Sequence, residues 1–298
     1  MSKTQNIRVE KRGSHLGAEI CDLDLSAPLN NDEFHIVEDA FVQHEVLYFR
    51  NQDISLDQFV QFARRFGEIT VHPFRSREAG SNKLSDQGRR DYPELIILDN
   101  SGDNPPHQTD QWHSDESFRE TPPAATLLRS MITPDVGGDT VFASMTAAYS
   151  GLPCALQKFY ETLTAVNDFK AFRSLYSQTH EGRKKLVEME KRYPNTTHPV
   201  VRVHPISKRK LIYVSPQTTT QIVGMRDFEN EKILDMLYRL PDIPEYQFRV
   251  KWEPHMIVIW DNRSVQHYAP RDFLPQRRRM ERLTIKGDKP FGVITLDV

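Results

Sequence analysis

The sequence Met256-Ile257-Val258-Ile259-Trp260 is the longest purely apolar run in the chain. It is much shorter than the ~20 residues that a membrane-spanning helix needs, and its branched side chains are typical of a buried strand. Just before it, apolar and polar residues alternate over 246–252, as in a strand that buries one face. Four other short apolar runs bounded by turn residues also predict strands, at 46–50, 95–98, 200–204 and 211–215.

Helical spacing is clearest over residues 55–66. Ser55 and Gln58 form a capping-box pattern at its start, apolar residues then repeat on one face, and Gly67 follows its end. Further helices are predicted at 31–45, 153–166 and 226–240. Many short strands with a minority of helices predict a mainly β fold with helical insertions, as an antiparallel sandwich or jelly roll.

The composition excludes several classes of protein. The chain has 298 residues, of which 38% are hydrophobic and 27% charged, as in ordinary globular proteins. Its 39 basic and 41 acidic residues give a net charge of -2, so neither nucleic acid nor an anionic membrane is an expected partner. Cys21 and Cys154 lie far apart, which excludes a disulfide scaffold and a thiolate zinc site. With a polar stretch at 1–17 and no lipidation signal, we expect a cytoplasmic protein.

No internal repeat, low-complexity tract or Gly/Ser-rich linker divides the chain, so we expect one domain over residues 1–298. Residues 75–94 differ from the rest because they are dense in charge and show little periodicity. A solvated surface loop is the default interpretation of such a stretch. The alternative is a lid over a functional site, since long loops in compact domains are often functional.

A candidate metal site begins at His113 and Asp115, which project to the same side of an extended segment. Together they offer one nitrogen and one oxygen to a divalent cation, although His-x-Asp also occurs by chance. His267 is the candidate third ligand, and two histidines with one carboxylate form the facial triad of non-haem Fe(II) oxygenases. The same residue types suit Zn(II) in a hydrolase, and because the chain has eleven histidines, an ordinary core or surface histidine is the alternative interpretation of His267.

Residues 276–285 are strongly basic and resemble a solvated surface run at first sight. As a strand, however, they would place Arg278 and Arg282 on one face, roughly 13 Å apart, and Arg277 and Arg279 on the other. Guanidinium groups pair bidentately with carboxylates, so one face could bind two different anions. Periodicity alone leaves open which face points inward.

The chain resembles, over most of its length, the taurine dioxygenase / 2,4-dichlorophenoxyacetate dioxygenase family of Fe(II)- and 2-oxoglutarate-dependent dioxygenases. Each shared motif is short, but their number and order are specific. The motifs are Leu16-Gly17-Ala18-Glu19-Ile20, Phe66-Gly67-Glu68, Trp112-His113-Ser114-Asp115, Thr121-Pro122-Pro123, Gly137-Gly138-Asp139-Thr140, His198-Pro199-Val200-Val201-Arg202, Trp260-Asp261-Asn262-Arg263, His267-Tyr268-Ala269, Arg278, Arg282 and Gly287-Asp288. The resemblance implies a double-stranded β-helix, a cupin-like variant of the jelly roll.

The resemblance also implies roles for the candidate residues. His113, Asp115 and His267 match the iron ligands, while Arg278 and Thr140 match the residues that bind the distal carboxylate of 2-oxoglutarate. In that family, 2-oxoglutarate and O2 occupy the remaining positions on Fe(II). Decarboxylation of 2-oxoglutarate drives hydroxylation of a C–H bond, and an adjacent heteroatom can then leave. A metal-dependent hydrolase or a non-catalytic jelly-roll binding protein would leave Thr140 and Arg278 at these positions unexplained.

The substrate positions match taurine dioxygenase only in part. Arg282 matches the arginine that binds the anionic head of the substrate, and His72 matches a histidine on the substrate side. Four positions of the substrate pocket differ, where this chain has Arg75, Thr109, Arg173 and Thr218. The resemblance therefore implies a small organic anion, a carboxylate, sulfonate, sulfate ester or phosphonate, but not taurine. Arg75 and Arg173 could bind a second anionic group or point into solvent. Relatives of this type are often dimers or tetramers, which implies a homo-oligomer.

Overall fold

The structure is a computed structural model that describes residues 6–71, 92–106, 109–169, 173 and 179–293. The strands of the described part are β1 (Arg8–Lys11), β2 (Ala18–Cys21), β3 (Val46–Phe49), β4 (Ile96–Asn100), β5 (Ala125–Ile132), β6 (Thr140–Ser144), β7 (Thr164–Asn167), β8 (Thr196–Pro199), β9 (Val201–Val203), β10 (Lys210–Ile212), β11 (Thr219–Ile222), β12 (Gln247–Val250), β13 (Ile257–Asp261), β14 (Val265–Tyr268) and β15 (Arg278–Ile285). The α-helices are α1 (Asn31–His44), α2 (Leu56–Arg64), α3 (Met145–Ser150), α4 (Cys154–Glu161), α5 (His180–Arg192) and α6 (Asp227–Tyr238), and 3-10 turns lie at Leu240–Asp242 and Pro244–Tyr246.

Two sheets form the centre of the fold. The larger sheet has the strand order β1-β2-β3-β13-β5-β15-β4, in which every pair is antiparallel except β2 with β3. The smaller sheet has the order β12-β6-β14. Side chains of both sheets share one buried cluster, which includes Leu128 and Val258 from the larger sheet and Phe142 and Val265 from the smaller one. The two sheets therefore pack face to face, and the predicted jelly-roll architecture with helical insertions is confirmed.

The apolar run at 256–260 is continuous because both faces of β13 are covered. Ile257 and Ile259 point to the helical side of the larger sheet and join the core formed with α1 and α2. Val258 and Trp260 point the opposite way, into the core between the sheets. A central strand buried on both faces has no polar alternation, unlike the half-exposed strand β12.

Helices α1 and α2 cover the outer face of the larger sheet. Each begins with a capping box, from Asn30 to Glu33 in α1 and from Ser55 to Gln58 in α2, as the sequence predicts for α2. Each predicted strand overlaps an observed one, with ends that differ by up to three residues. Because these helices cover the outer face of the larger sheet, only its inner face, toward the smaller sheet, can contribute to a cavity between the sheets.

One predicted helix is wrong over part of its range. Residues 153–166 contain only helix α4, which ends at Glu161, and Thr164 begins strand β7 instead. β7 pairs with both β8 and β11, and Ala165 is fully buried between them. Strand pairing along both edges of β7 therefore overrides the helical pattern. The β-branched residues Thr164 and Val166, on either side of Ala165, also favour a strand.

Parts of the chain to which sequence analysis gave a role lie outside the described residues. These are His72, Arg75 and most of the segment 75–94. In the ranges that the structure describes, no helix is both long and apolar enough to cross a bilayer.

Candidate active site

The structure brings His113, Asp115 and His267 together. Their ligand atoms all lie within 4.8 Å of one another, and all three residues are buried. His267 is on β14, whereas His113 and Asp115 lie on the segment before β5. The backbones of the two histidines pair, because His113 N donates to His267 O at 3.1 Å and His267 N donates to His113 O at 2.8 Å. The main chain itself therefore positions the cluster.

Both imidazoles are suited to bind a metal in the neutral form. His113 Nδ1 lies 2.7 Å from the carbonyl oxygen of Gln111. A carbonyl can only accept a hydrogen bond, so Nδ1 carries the hydrogen and Nε2 keeps a free lone pair. Burial lowers the pKa of His113, and it lowers the pKa of His267 to about 3, with the neighbouring His113 acting in the same direction. His267 Nε2 lies 3.9 Å from Asp115 Oδ1, so its ring faces the carboxylate.

Asp115 completes the donor set as an anion. Burial by itself raises the pKa of its carboxyl, but the Arg282 guanidinium, with the hydrogen bond from Thr126, outweighs burial and holds that pKa well below its ordinary value. Thr126 Oγ1 donates to Asp115 Oδ2 at 2.7 Å, and Arg282 Nη2 lies 2.9 Å from the same oxygen. Two neutral imidazoles and one carboxylate fit a divalent metal ion such as Fe(II), with coordination positions left open for other ligands.

A cavity of about 280 Å3 adjoins this cluster, and Arg278 and Thr140 line it. Arg278 Nε donates to the carbonyl oxygen of Gly138 at 3.0 Å, while Thr140 Oγ1 accepts a hydrogen bond from Trp252 Nε1 at 3.0 Å. Burial lowers the pKa of Arg278 to about 10, so its guanidinium remains cationic at neutral pH. The cavity thus presents one positive charge and one hydroxyl beside the candidate ligands.

The glycine before Asp139 permits this arrangement. Gly138 has φ +70°, and a Cβ built there would lie 2.9 Å from Pro134 Cγ and 3.2 Å from Arg278 Cδ. A side chain at this position would be strained by its backbone angles and would push against Arg278. The Gly-Gly-Asp-Thr motif therefore allows the close approach between the loop and the arginine.

The structure also decides which face of β15 points inward. Arg278, Met280 and Thr284 are buried, and Arg282 lines the same cavity as Arg278. Arg277, in contrast, is half exposed and pairs with Asp99 at the surface. Both inward arginines therefore line the cavity next to the candidate metal ligands, four residues apart on one face of β15.

Of the remaining described candidates for substrate contact, one lines the cavity and two do not. Thr109 lines the cavity and donates a hydrogen bond to Ala269 O at 3.4 Å. Thr218 is fully buried, and its hydroxyl forms a hydrogen bond with Ser117 Oγ at 2.6 Å. Among the described residues that line the cavity, the adjacent Gln217 is present and Thr218 is not.

Arg173 likewise lies outside the described lining of the cavity. Its guanidinium forms ion pairs with Asp168 at 2.9 Å and Glu190 at 3.3 Å, and its side chain is 40% exposed. The Arg173 guanidinium is therefore already neutralised by two carboxylates at the surface of the protein.

Several lining residues were not candidates from the sequence, and Glu116 and Asn100 are two polar examples. Glu116 directly follows Asp115 and is buried in the cavity wall, where Arg119 donates to it at 2.8 Å. Its position next to the His-x-Asp pair was the available signal. Asn100 reaches the cavity because β4 pairs with β15 and places it opposite Arg278, a register that the sequence does not reveal.

Comparisons with known proteins agree with this geometry. The model of the family "Taurine catabolism dioxygenase TauD, TfdA family" matches residues 8–284. An alkylsulfatase of Acinetobacter baylyi is 31% identical over 97% of this chain and 88% of its own length. An alpha-ketoglutarate-dependent sulfate ester dioxygenase of Pseudomonas putida is 32% identical over 93% and 89%.

Solved structures show the same fold. The crystal structure of a taurine dioxygenase from Burkholderia xenovorans superimposes with a TM-score of 0.78 at 31% identity and covers 96% of this chain and 91% of that chain. The crystal structure of AAD-2 in complex with Mn(II) and N-oxalylglycine gives a TM-score of 0.78 at 28% identity, over 96% and 99%. From motifs, fold and relatives together, the chain belongs to the taurine catabolism dioxygenase TauD, TfdA family of 2-oxoglutarate-dependent oxidoreductases.

Proposed function

We propose that this protein is an Fe(II)- and 2-oxoglutarate-dependent dioxygenase that hydroxylates a C–H bond of a small organic anion, which can lead to cleavage next to a heteroatom. The observation that carries the proposal is one cavity shared by the His113–Asp115–His267 cluster and by two inward arginines of a single strand. When bound, Fe(II) with 2-oxoglutarate and O2 supplies the oxidising power, and the chain supplies orientation and anion recognition.

Arg278 and Thr140 are the proposed contacts of 2-oxoglutarate. The guanidinium of Arg278 offers a planar fork that matches a carboxylate, in surroundings where a charge-assisted hydrogen bond is strong. The oxygen of Thr140 already accepts a hydrogen bond from Trp252 Nε1, so the hydroxyl of Thr140 can donate its own hydrogen bond to the same carboxylate. Both contacts would fix the end of 2-oxoglutarate that lies away from the metal.

Arg282 is the proposed anchor of the prime substrate. Its buried Nε atom has no hydrogen-bond partner within the described part of the chain, while its Nη2 atom forms an ion pair with Asp115 at 2.9 Å. Unsatisfied buried donors on a cation favour an anionic group. Leu98, Leu128 and Phe273 supply an apolar wall to the same cavity, which suits an organic chain attached to that anion.

The relatives narrow the proposed substrate range. Alkylsulfatase, sulfonate dioxygenases, a sulfate ester dioxygenase and 2,4-dichlorophenoxyacetate dioxygenases all align along most of this chain. We therefore propose sulfate esters and sulfonates with a short carbon chain as the first candidates, with carboxylates and phosphonates next. Taurine is expected to be a poor substrate, because the four positions at Arg75, Thr109, Arg173 and Thr218 differ from the substrate pocket of taurine dioxygenase.

The whole chain is proposed to act as one dioxygenase domain in the cytoplasm, as a homo-oligomer of two or four copies. Its balanced charge favours neither nucleic acid nor a membrane as a partner.

The proposal predicts that substrate anions stimulate succinate release. Purified protein with Fe(II), 2-oxoglutarate and O2 would be incubated with alkyl sulfates, alkyl sulfonates, aryloxyacetates, alkyl phosphonates and taurine. At least one anion other than taurine should raise succinate formation well above the rate without substrate, and omission of Fe(II) should remove the increase. A product formed without succinate would indicate metal-dependent hydrolysis, and no stimulation by any class would contradict the proposed reaction.

Substitution of Arg282 with alanine should weaken binding of the prime substrate more than binding of the cosubstrate. Loss of hydrogen bonds to a charged group, worth about 1.5–3 kcal/mol, corresponds to a KM for the prime substrate raised about 10- to 100-fold. Arg279→Ala is the matched control, since Arg279 lies on the opposite face of β15 near Asp99. If the KM for the cosubstrate rose more than the KM for the prime substrate, the roles assigned to Arg282 and Arg278 would be reversed.

A further inference from the structure

A chain of three buried hydrogen bonds ends at the carboxylate of Asp115. Trp260 Nε1 donates to Asn262 Oδ1 at 2.9 Å, and Asn262 Nδ2 donates to Thr126 Oγ1 at 2.9 Å. Thr126 Oγ1 then donates to Asp115 Oδ2 at 2.7 Å. All of these residues are at most 5% exposed, and none besides Asp115 was a candidate site residue from the sequence. We refer to Trp260, Asn262 and Thr126 as the Asp115 relay.

The direction of every bond in the relay follows from the chemistry of its first member. An indole N–H can only donate, so the oxygen of the Asn262 amide must face Trp260 and its NH2 group must face Thr126. The NH2 group can only donate, so the hydroxyl oxygen of Thr126 accepts and its single proton is directed to Asp115. The orientation of the amide is therefore fixed by Trp260 and requires no assumption.

The relay has a geometric consequence for Asp115. Its Oδ2 contacts Thr126 and Arg282, while its Oδ1 lies on the side of His267. A rotation that turned both oxygens toward a metal would break the bond from Thr126 and leave buried donors unsatisfied, which is costly. On the assignment of the metal site in the proposed function, we propose that the Asp115 relay is a positioning device that holds Asp115 as a one-oxygen ligand and so keeps coordination positions open for 2-oxoglutarate and O2.

Local structure makes the relay rigid. Trp260 lies opposite Thr126 in the register of β13 and β5, so strand pairing brings the two ends together. The backbone N–H of Asn262 donates to Ala124 O at 2.9 Å, which fixes the turn after β13. The ring of Trp260 also lies 4.9 Å from that of His267, so one side chain supports two of the three candidate ligands.

The relay is tested by Thr126→Val, which keeps the shape of the side chain and removes the hydroxyl, with Thr126→Ser as the matched control. Two readouts are independent of turnover: the affinity for Mn(II), and the visible spectrum of the Co(II) complex with 2-oxoglutarate, which reports coordination number. We expect Thr126→Val to weaken Mn(II) binding about 10- to 100-fold and to change the Co(II) spectrum, as is typical when a partner of a metal ligand is lost. Thr126→Ser should keep both properties close to those of the wild type.

Wild-type affinity and an unchanged Co(II) spectrum in Thr126→Val would overturn the relay. If Thr126→Val does not fold, Trp260→Phe serves instead, because it keeps a ring beside His267 and removes the N–H. It should weaken Mn(II) binding in the same direction, and unchanged binding would again contradict the relay. The two proposals can fail separately. If Mn(II) binding depends on Thr126 but no substrate leads to succinate release, the Asp115 relay is supported and only the proposed function is rejected.

Discussion

Substitution of His267 with alanine is expected to abolish 2-oxoglutarate turnover and to weaken metal binding strongly. His267 supplies one of three candidate ligands, and its neutral imidazole faces Asp115 at 3.9 Å. A catalytic metal contributes several kcal/mol, so its loss corresponds to a rate decrease of about 1000-fold or more. The measurements are succinate release with 2-oxoglutarate, O2 and added Fe(II), and Mn(II) affinity by calorimetry.

The fold of this variant should persist. The two histidine segments are paired by backbone hydrogen bonds and by the bond from Ser114 Oγ to Val265 O, all of which alanine at position 267 retains. Thermal unfolding would confirm this, and His35→Ala is the control, because His35 is an exposed histidine on α1. Turnover near the wild-type rate in His267→Ala would remove it from the ligand set and would contradict the proposed site.

Substitution of Arg278 with lysine is expected to weaken the binding of the cosubstrate, 2-oxoglutarate. Lysine keeps the positive charge but loses the planar fork and the bond from Nε to Gly138 O. Hydrogen bonds to charged groups contribute about 1.5–3 kcal/mol, so we expect the affinity to fall about 10- to 100-fold. The affinity would be measured anaerobically in the presence of Mn(II), so that chemistry does not contribute.

The chain offers a close control for this experiment in the preceding residue. Arg277 is half exposed and pairs with Asp99 at 2.6 Å, so Arg277→Lys should leave the affinity for the cosubstrate unchanged. Unaltered affinity in Arg278→Lys would remove Arg278 from its proposed role. Equal loss in both variants would indicate a general structural effect on residues 276–285 and would likewise contradict a specific role of Arg278.

The sequence predicts the strands and helices well where local patterns decide them. The apolar residues 256–260 form a strand, and the Ser55–Gln58 capping box begins α2. Residues 164–166 were wrongly assigned to a helix because their structure depends on β8 and β11, which are distant in sequence. Local patterns carry no information about such pairing.

In the site, too, local motifs predict some residues, while the positions of others depend on tertiary packing. Motifs alone identified the three residues that the structure gathers at the cavity as candidate ligands. The choice between the faces of β15 needed the packing of the sheet, and the placement of Arg173 needed its partners Asp168 and Glu190. Asn262 lies in one of the shared motifs, but nothing in the sequence indicates its contact with Thr126 or the contact of Thr126 with Asp115, because these depend on the register of β13 and β5.

The backbone bridge between His113 and His267 has a consequence for metal binding. It joins segments that are separated in sequence by most of the strands of the fold. Strand pairing therefore offsets the loop-closure entropy of bringing these segments together, and coordination is not needed for it. Because main-chain hydrogen bonds place both imidazoles in advance, we expect a metal ion to bind at this site without a large rearrangement of the backbone.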